Sequence, residues 1–187
     1  MWRRHGRGRL GGPLDDRAAE HGRGADPRAQ RRPTQPEALV ELLDFQAPPQ
    51  QDPAVQAGID GYEEFLRQFV IAEGLGDPDY PPLLALINPR DQAFVDGLLS
   101  GLTIGEKDNT YVLGPLAERV TDAAGNASRV LIDTCTDYTG RDVYSEATDE
   151  VVGKLVLTVI RARVVMTRAA DGWILSDYSA PNEQNCT

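Results

Sequence analysis

The residues able to do chemistry in this chain are few, and one missing type narrows the choice. Both histidines, His5 and His21, lie in an Arg- and Gly-rich leader. The rest of the chain has none, which excludes Ser–His, Cys–His and His-ligated metal chemistry there. Cys135 and Cys186 are the two cysteines, too few to hold a metal alone. They are either a disulfide or two free thiols. Cys186 stands in a polar tail with no packing reason to be Cys, which favours the bridge. Asp133 and Asp137 flank Cys135, and strand alternation puts all three on one face. Arg161 and Arg163 on a neighbouring strand would pair with such acids across a solvated face. Asp77-Pro78-Asp79 and Glu106-Lys107-Asp108-Asn109 lack calcium-loop spacing. No metal and no cofactor is expected.

The elements that position these residues begin with a helix. Asp52 is its N-cap and Pro53 its first residue. Val55, Ile59, Tyr62, Phe65, Leu66, Phe69 and Val70 recur at the period of one buried face. Gly74-Leu75-Gly76-Asp77-Pro78 ends it. Leu83 to Ile87 reads as a helical turn or two. Asn88 and Pro89 then cap and start another helix, with Phe94, Val95, Leu98, Leu99 and Leu102 inward.

From Thr110 the period becomes two. Tyr111 to Ala123 is a strand interrupted at Gly114-Pro115, and Arg129 to Tyr138 is the next. Val143 to Glu146 is short. Lys154 to Arg168 reads as one long strand, rich in Val, Ile, Leu and Thr without Pro or Gly. Ala170-Asp171-Gly172 turns it into Trp173 to Tyr178, completing a hairpin. Trp173 and Tyr178 are most simply core or rim aromatics. The first half of the long strand is apolar on both sides. That implies a covering segment or a homodimer through the sheet.

Charge divides the 187-residue chain. Residues 1–36 hold nine Arg and four acids, and residues 37–187 hold ten basic and twenty-five acidic residues. The acidic part should repel nucleic acid and anionic lipid. The leader lacks apolar periodicity and is expected to be disordered, with 37–52 a linker and 53–187 the domain. Neither Arg3-Arg4 nor Arg31-Arg32 is followed by the apolar run of a signal peptide. The expected fold class is α+β: N-terminal helices packed on a curved antiparallel sheet, which the resemblance described next implies is cone-shaped and cystatin-like.

This order of helices, meander and long closing hairpin resembles the nuclear-transport-factor-2-like superfamily, which includes ketosteroid isomerase-like and SnoaL-like proteins. The local motif is Arg168-Ala169-Ala170-Asp171-Gly172-Trp173-Ile174-Leu175-Ser176-Asp177. A narrower resemblance is to actinobacterial secreted proteins and lipoproteins of this fold. It rests on Asp133-Thr134-Cys135-Thr136-Asp137, Asn185-Cys186-Thr187, Gly61-Tyr62-Glu63-Glu64-Phe65-Leu66 and Gly76-Asp77-Pro78. The resemblance implies a Cys135–Cys186 disulfide and an extracytoplasmic or membrane-associated place, against a cytoplasmic alternative. It also implies a non-catalytic module binding a protein partner or small apolar ligand in its cone. The alternative it offers is an isomerase- or dehydratase-like enzyme. Asp133 or Asp137 would then act as base beside Tyr62 or Tyr144.

Overall fold

The structure is a computed structural model that describes residues 35–155, 159–180 and Cys186. Where the sequence suggests a linker, the chain forms α1 (Pro36–Val40) and β1 (Leu43–Gln46). Leu39 of α1 is fully buried, and the ring of Phe45 meets Tyr62 edge-on at 6.2 Å. These short apolar runs carry too few residues to show a period, and their burial decides their structure. The disorder expected of the leader falls almost wholly outside the described residues.

Next comes α2 (Pro53–Leu75). The Asp52 carboxylate accepts from the Ala54 amide at 2.8 Å, and Gly76 closes the helix at φ 67°. A left-handed Gly there frees its amide to bond the last carbonyls. α3 (Pro81–Leu84) is a single turn. α4 (Gln92–Leu98) starts later than Asn88 implies, because Asp91 is the cap that accepts from the Phe94 amide. Asn88 instead accepts from the Arg90 amide in a local turn. α5 (Ser100–Asp108) follows directly.

The strands form two sheets. β2 (Thr110–Leu113) and β3 (Leu116–Asn126) part at Gly114-Pro115, where the sequence suggests one bent strand. They are followed by β4 (Arg129–Asp137), β5 (Asp142–Ser145), β6 (Val151–Lys154), β7 (Val159–Ala169) and β8 (Gly172–Ser179). The larger sheet has the order β1-β3-β4-β7-β8 and the smaller β2-β5-β6. The larger is mixed rather than purely antiparallel, since β1 runs parallel to β3. Of the expected long strand, Val159 onward forms β7 in the large sheet, and its first residue, Lys154, is the last of β6 in the small one. Residues 156–158 between them lie outside the described residues. β7 and β8 pair as the expected hairpin, with a register shift at Val165/Met166. A second shift lies at Val120/Asp122 in β3, and such bulges bend a sheet.

α2 lies against the inner face of this curved sheet. Val130, Ile132, Val164, Met166 and Leu175 meet its Ile59, Tyr62, Phe65, Leu66 and Val70 in one core. The architecture is α+β, helices on a curved sheet.

Candidate functional site

The inner face of the sheet is not uniformly apolar. Glu118 of β3 is 1% exposed and projects beneath α2 among Leu116, Val120 and Thr136. The Tyr62 hydroxyl donates to its Oε1 at 3.0 Å. The second oxygen, Oε2, is buried without a close hydrogen-bond partner among the described residues, although the hydroxyls of Thr134 and Thr136 lie beside the carboxyl. Burial raises the Glu118 pKa above its ordinary 4.5, against the opposing pull of the hydroxyls of Thr136, Thr134 and Tyr62. The carboxyl is therefore biased towards its neutral form, which can donate as well as accept.

Three phenols share this space. Burial raises the pKa of Tyr62 well above 10.0, with Glu118 adding to it. Burial likewise raises Tyr138 and Tyr178. All three remain neutral donors at physiological pH. Tyr62, Tyr138, Tyr178, Thr136 and Glu118 line one hollow of about 260 Å³, walled otherwise mainly by Phe65, Leu66, Phe69, Leu98, Leu116 and Ile160. Its α4 side is Gly97 and Leu98, and no residue of α4 is itself buried.

The chemistry of this hollow is that of an apolar chamber with one carboxyl and phenols at its base. It can hold an uncharged apolar body and hydrogen-bond one polar end. Among the described residues its walls bring no cation that would hold an anion. Because Glu118 titrates higher folded than unfolded, its contribution to stability is complete below 4.5 and is lost as pH rises through the folded value. Heat-unfolding midpoints of Glu118→Gln are therefore expected to fall less than those of the wild type as pH rises across that range. Parallel slopes would show that other groups set the dependence.

The acids singled out in the sequence lie elsewhere. Asp133 is on the opposite face of β4, where the Arg163 guanidinium binds it through Nε at 2.7 Å and Nη2 at 2.9 Å. That pairing lowers its pKa, as the Thr139 hydrogen bonds lower that of Asp137. Neither is a base of raised pKa within the hollow, and alternation explains why: the even-numbered residues of β4 face inward. Arg161 is exposed on the same outer face, across from Cys135. Tyr144 sits in the small sheet, stacked on Tyr111 at 5.4 Å between ring centroids. Of the named candidates, only Tyr62 lines the hollow.

Cys135 and Cys186 are joined, with sulfurs 2.01 Å apart across a sequence separation of 51. The bridge pins the tail to the outer face, beside a cleft shared with Asp137 and Arg119. Closing a loop of that length contributes about 2–4 kcal/mol. Among the described residues, no cluster of three His, Cys, Asp or Glu side chains could hold a metal. No helix among them is long and apolar enough to cross a membrane.

No protein-family model matches the chain. No curated protein matches it either. Among solved structures it is similar to the intermembrane space region of the chloroplast protein ARC6, at 12% identity and a TM-score of 0.48. That match covers 71% of this chain and 98% of the other. It is also similar to a de novo designed protein with a curved β-sheet, at 12% identity and a TM-score of 0.34, covering 62% and 93%.

Sequence reasoning missed Glu118. Its neighbours Leu116 and Val120 alternate inward with it, so the period of β3 placed it inside. An acid in the middle of an inward-facing row was the available signal.

Proposed function

We propose that this protein is a non-catalytic binding module of the nuclear-transport-factor-2-like kind, whose hollow takes a small apolar molecule with one hydrogen-bonding group. The observation that carries this reading is a hollow walled mostly by apolar side chains, with the Glu118 carboxyl and three phenols among its lining. A ligand hydroxyl or carbonyl would hydrogen-bond the polar groups of that lining while its apolar body meets the walls. The chamber volume of about 260 Å³ sits near the low end for ligand pockets, so the ligand is small. An extracytoplasmic location is part of the proposal and is supported by the Cys135–Cys186 bridge.

A second reading, an isomerase- or dehydratase-like activity, is favoured by one feature. A carboxyl of raised pKa hydrogen-bonded to a phenol is also an acid–base pair. In that reading Glu118 takes the role expected of Asp133 or Asp137.

The test uses the neutral fluorophore N-phenyl-1-naphthylamine, followed by fluorescence, with cyclohexanone and methylcyclohexane as competitors. Binding is expected in the micromolar range and is expected to weaken at least about tenfold in Leu98→Trp, which fills the chamber. Glu118→Leu is expected to lower affinity for cyclohexanone and spare methylcyclohexane. Fluorophore binding unaffected by Leu98→Trp would place the site elsewhere and reject the proposal.

A further inference from the structure

Away from the hollow, two surface cavities adjoin. One, of about 630 Å³, lies among α3, α4 and α5, and the other, of about 550 Å³, lies beside the β7–β8 turn. They share Leu84, Ile87 and Pro89, so together they make one groove divided by the segment after α3. Two large apolar side chains on this groove stand in solvent, Ile104 at 59% exposure and Leu84 at 36%. Unlike the scattered surface Leu of an ordinary protein, they lie on the walls of a concavity.

The charged residues around the groove are of nearly one sign. Glu64, Asp79, Asp96, Glu106 and Asp171 line it, against Lys107. Such a rim repels anionic lipid and nucleic acid. It also disfavours the acidic body of a second copy, since residues 37–187 carry twenty-five acids and ten basic residues. The occupant that fits an apolar floor with an acidic rim is a basic one. We propose that the groove docks an amphipathic helical segment of another protein, its apolar stripe seated on Leu84 and Ile104 and its Lys or Arg residues meeting the carboxylates.

A synthetic Leu/Lys peptide with leucines at helical spacing is the probe, titrated by calorimetry against the whole chain. A scrambled peptide of equal composition separates docking from charge attraction. The helical peptide is expected to bind at least about tenfold more tightly than the scrambled one. Ile104→Asp is expected to erase that difference, even though it adds a negative charge that attracts both peptides. Its unfolding midpoint should stay near the wild-type value, because the side chain is exposed. Glu106→Lys is expected to weaken both peptides. Equal affinity for the two peptides in the wild type, or a preference that survives Ile104→Asp, would overturn the proposal.

Discussion

Glu73→Leu is expected to lower unfolding free energy by about 3–5 kcal/mol, because it strands a guanidinium in the interior. Arg141 is 2% exposed, and its Nη1 donates to Glu73 Oε2 at 2.6 Å. Nε and Nη2 have no partner among the described residues, so the cation is already short of acceptors. Its side chain cannot shed the proton when the carboxylate goes. Arg141→Met is expected to cost less, since the Glu73 left behind can be neutralised. Burial already raises the Glu73 pKa above 4.5, opposed by the charge of Arg141, and losing that charge raises it further. The Arg141→Met penalty should therefore shrink as pH falls through the raised value, whereas the Glu73→Leu penalty should not. The double replacement is expected to recover most of the loss, since apolar groups of similar volume replace such pairs at little cost. Urea unfolding of the four proteins at two pH values measures all of this. Additive single losses in the double variant would show that the two side chains do not act as a pair.

That pair also shows where sequence reading stops. α2, the β7–β8 hairpin and the caps at Asp52 and Gly76 follow from local chemistry: a period, a turn and a cap each declare themselves within a few residues. Glu73 and Arg141 are 68 positions apart, and nothing local marks either as buried. The division into two sheets was hidden for a related reason. Val151 to Lys154, just ahead of the long strand, pairs with β5 in the smaller sheet, while the strand residues from Val159 join β4 in the larger. Propensity fixes that a strand forms but not which strand it joins. Of the site, Tyr62 is legible from the helical period, whereas Glu118 is marked only as an acid within an inward-facing row of β3. Asp133 and Asp137 drew the eye because they flank a cysteine, and that cysteine faces outward. The disulfide was legible because a tail cysteine had no packing role.

Gly58→Ala/Gly61→Ala is expected to lose about 4 kcal/mol, although helix propensity alone predicts a gain of about 1 kcal/mol per site. Both glycines lie within α2, where their cost against Ala needs a cause. A Cβ at Gly58 would lie 2.6 Å from Val130 Cγ2 and 2.7 Å from its Cβ. At Gly61 it would lie 2.5 Å from the Cβ of Trp173. Those are side-chain roots fixed to β4 and β8, so no rotamer change clears them. The helix itself must lift from the sheet, and overpacking of this kind costs up to about 3 kcal/mol per site. Lifting α2 also draws Tyr62, one residue beyond Gly61, away from Glu118 and widens the hollow. The double variant is therefore expected to weaken N-phenyl-1-naphthylamine binding along with its unfolding free energy. Gly97→Ala is the control: its Cβ would meet nothing within 4 Å, and only the propensity gain should remain. Stabilisation of Gly61→Ala by the propensity value would mean that α2 does not sit this close to β8, and the geometry of the Tyr62–Glu118 contact would fall with it.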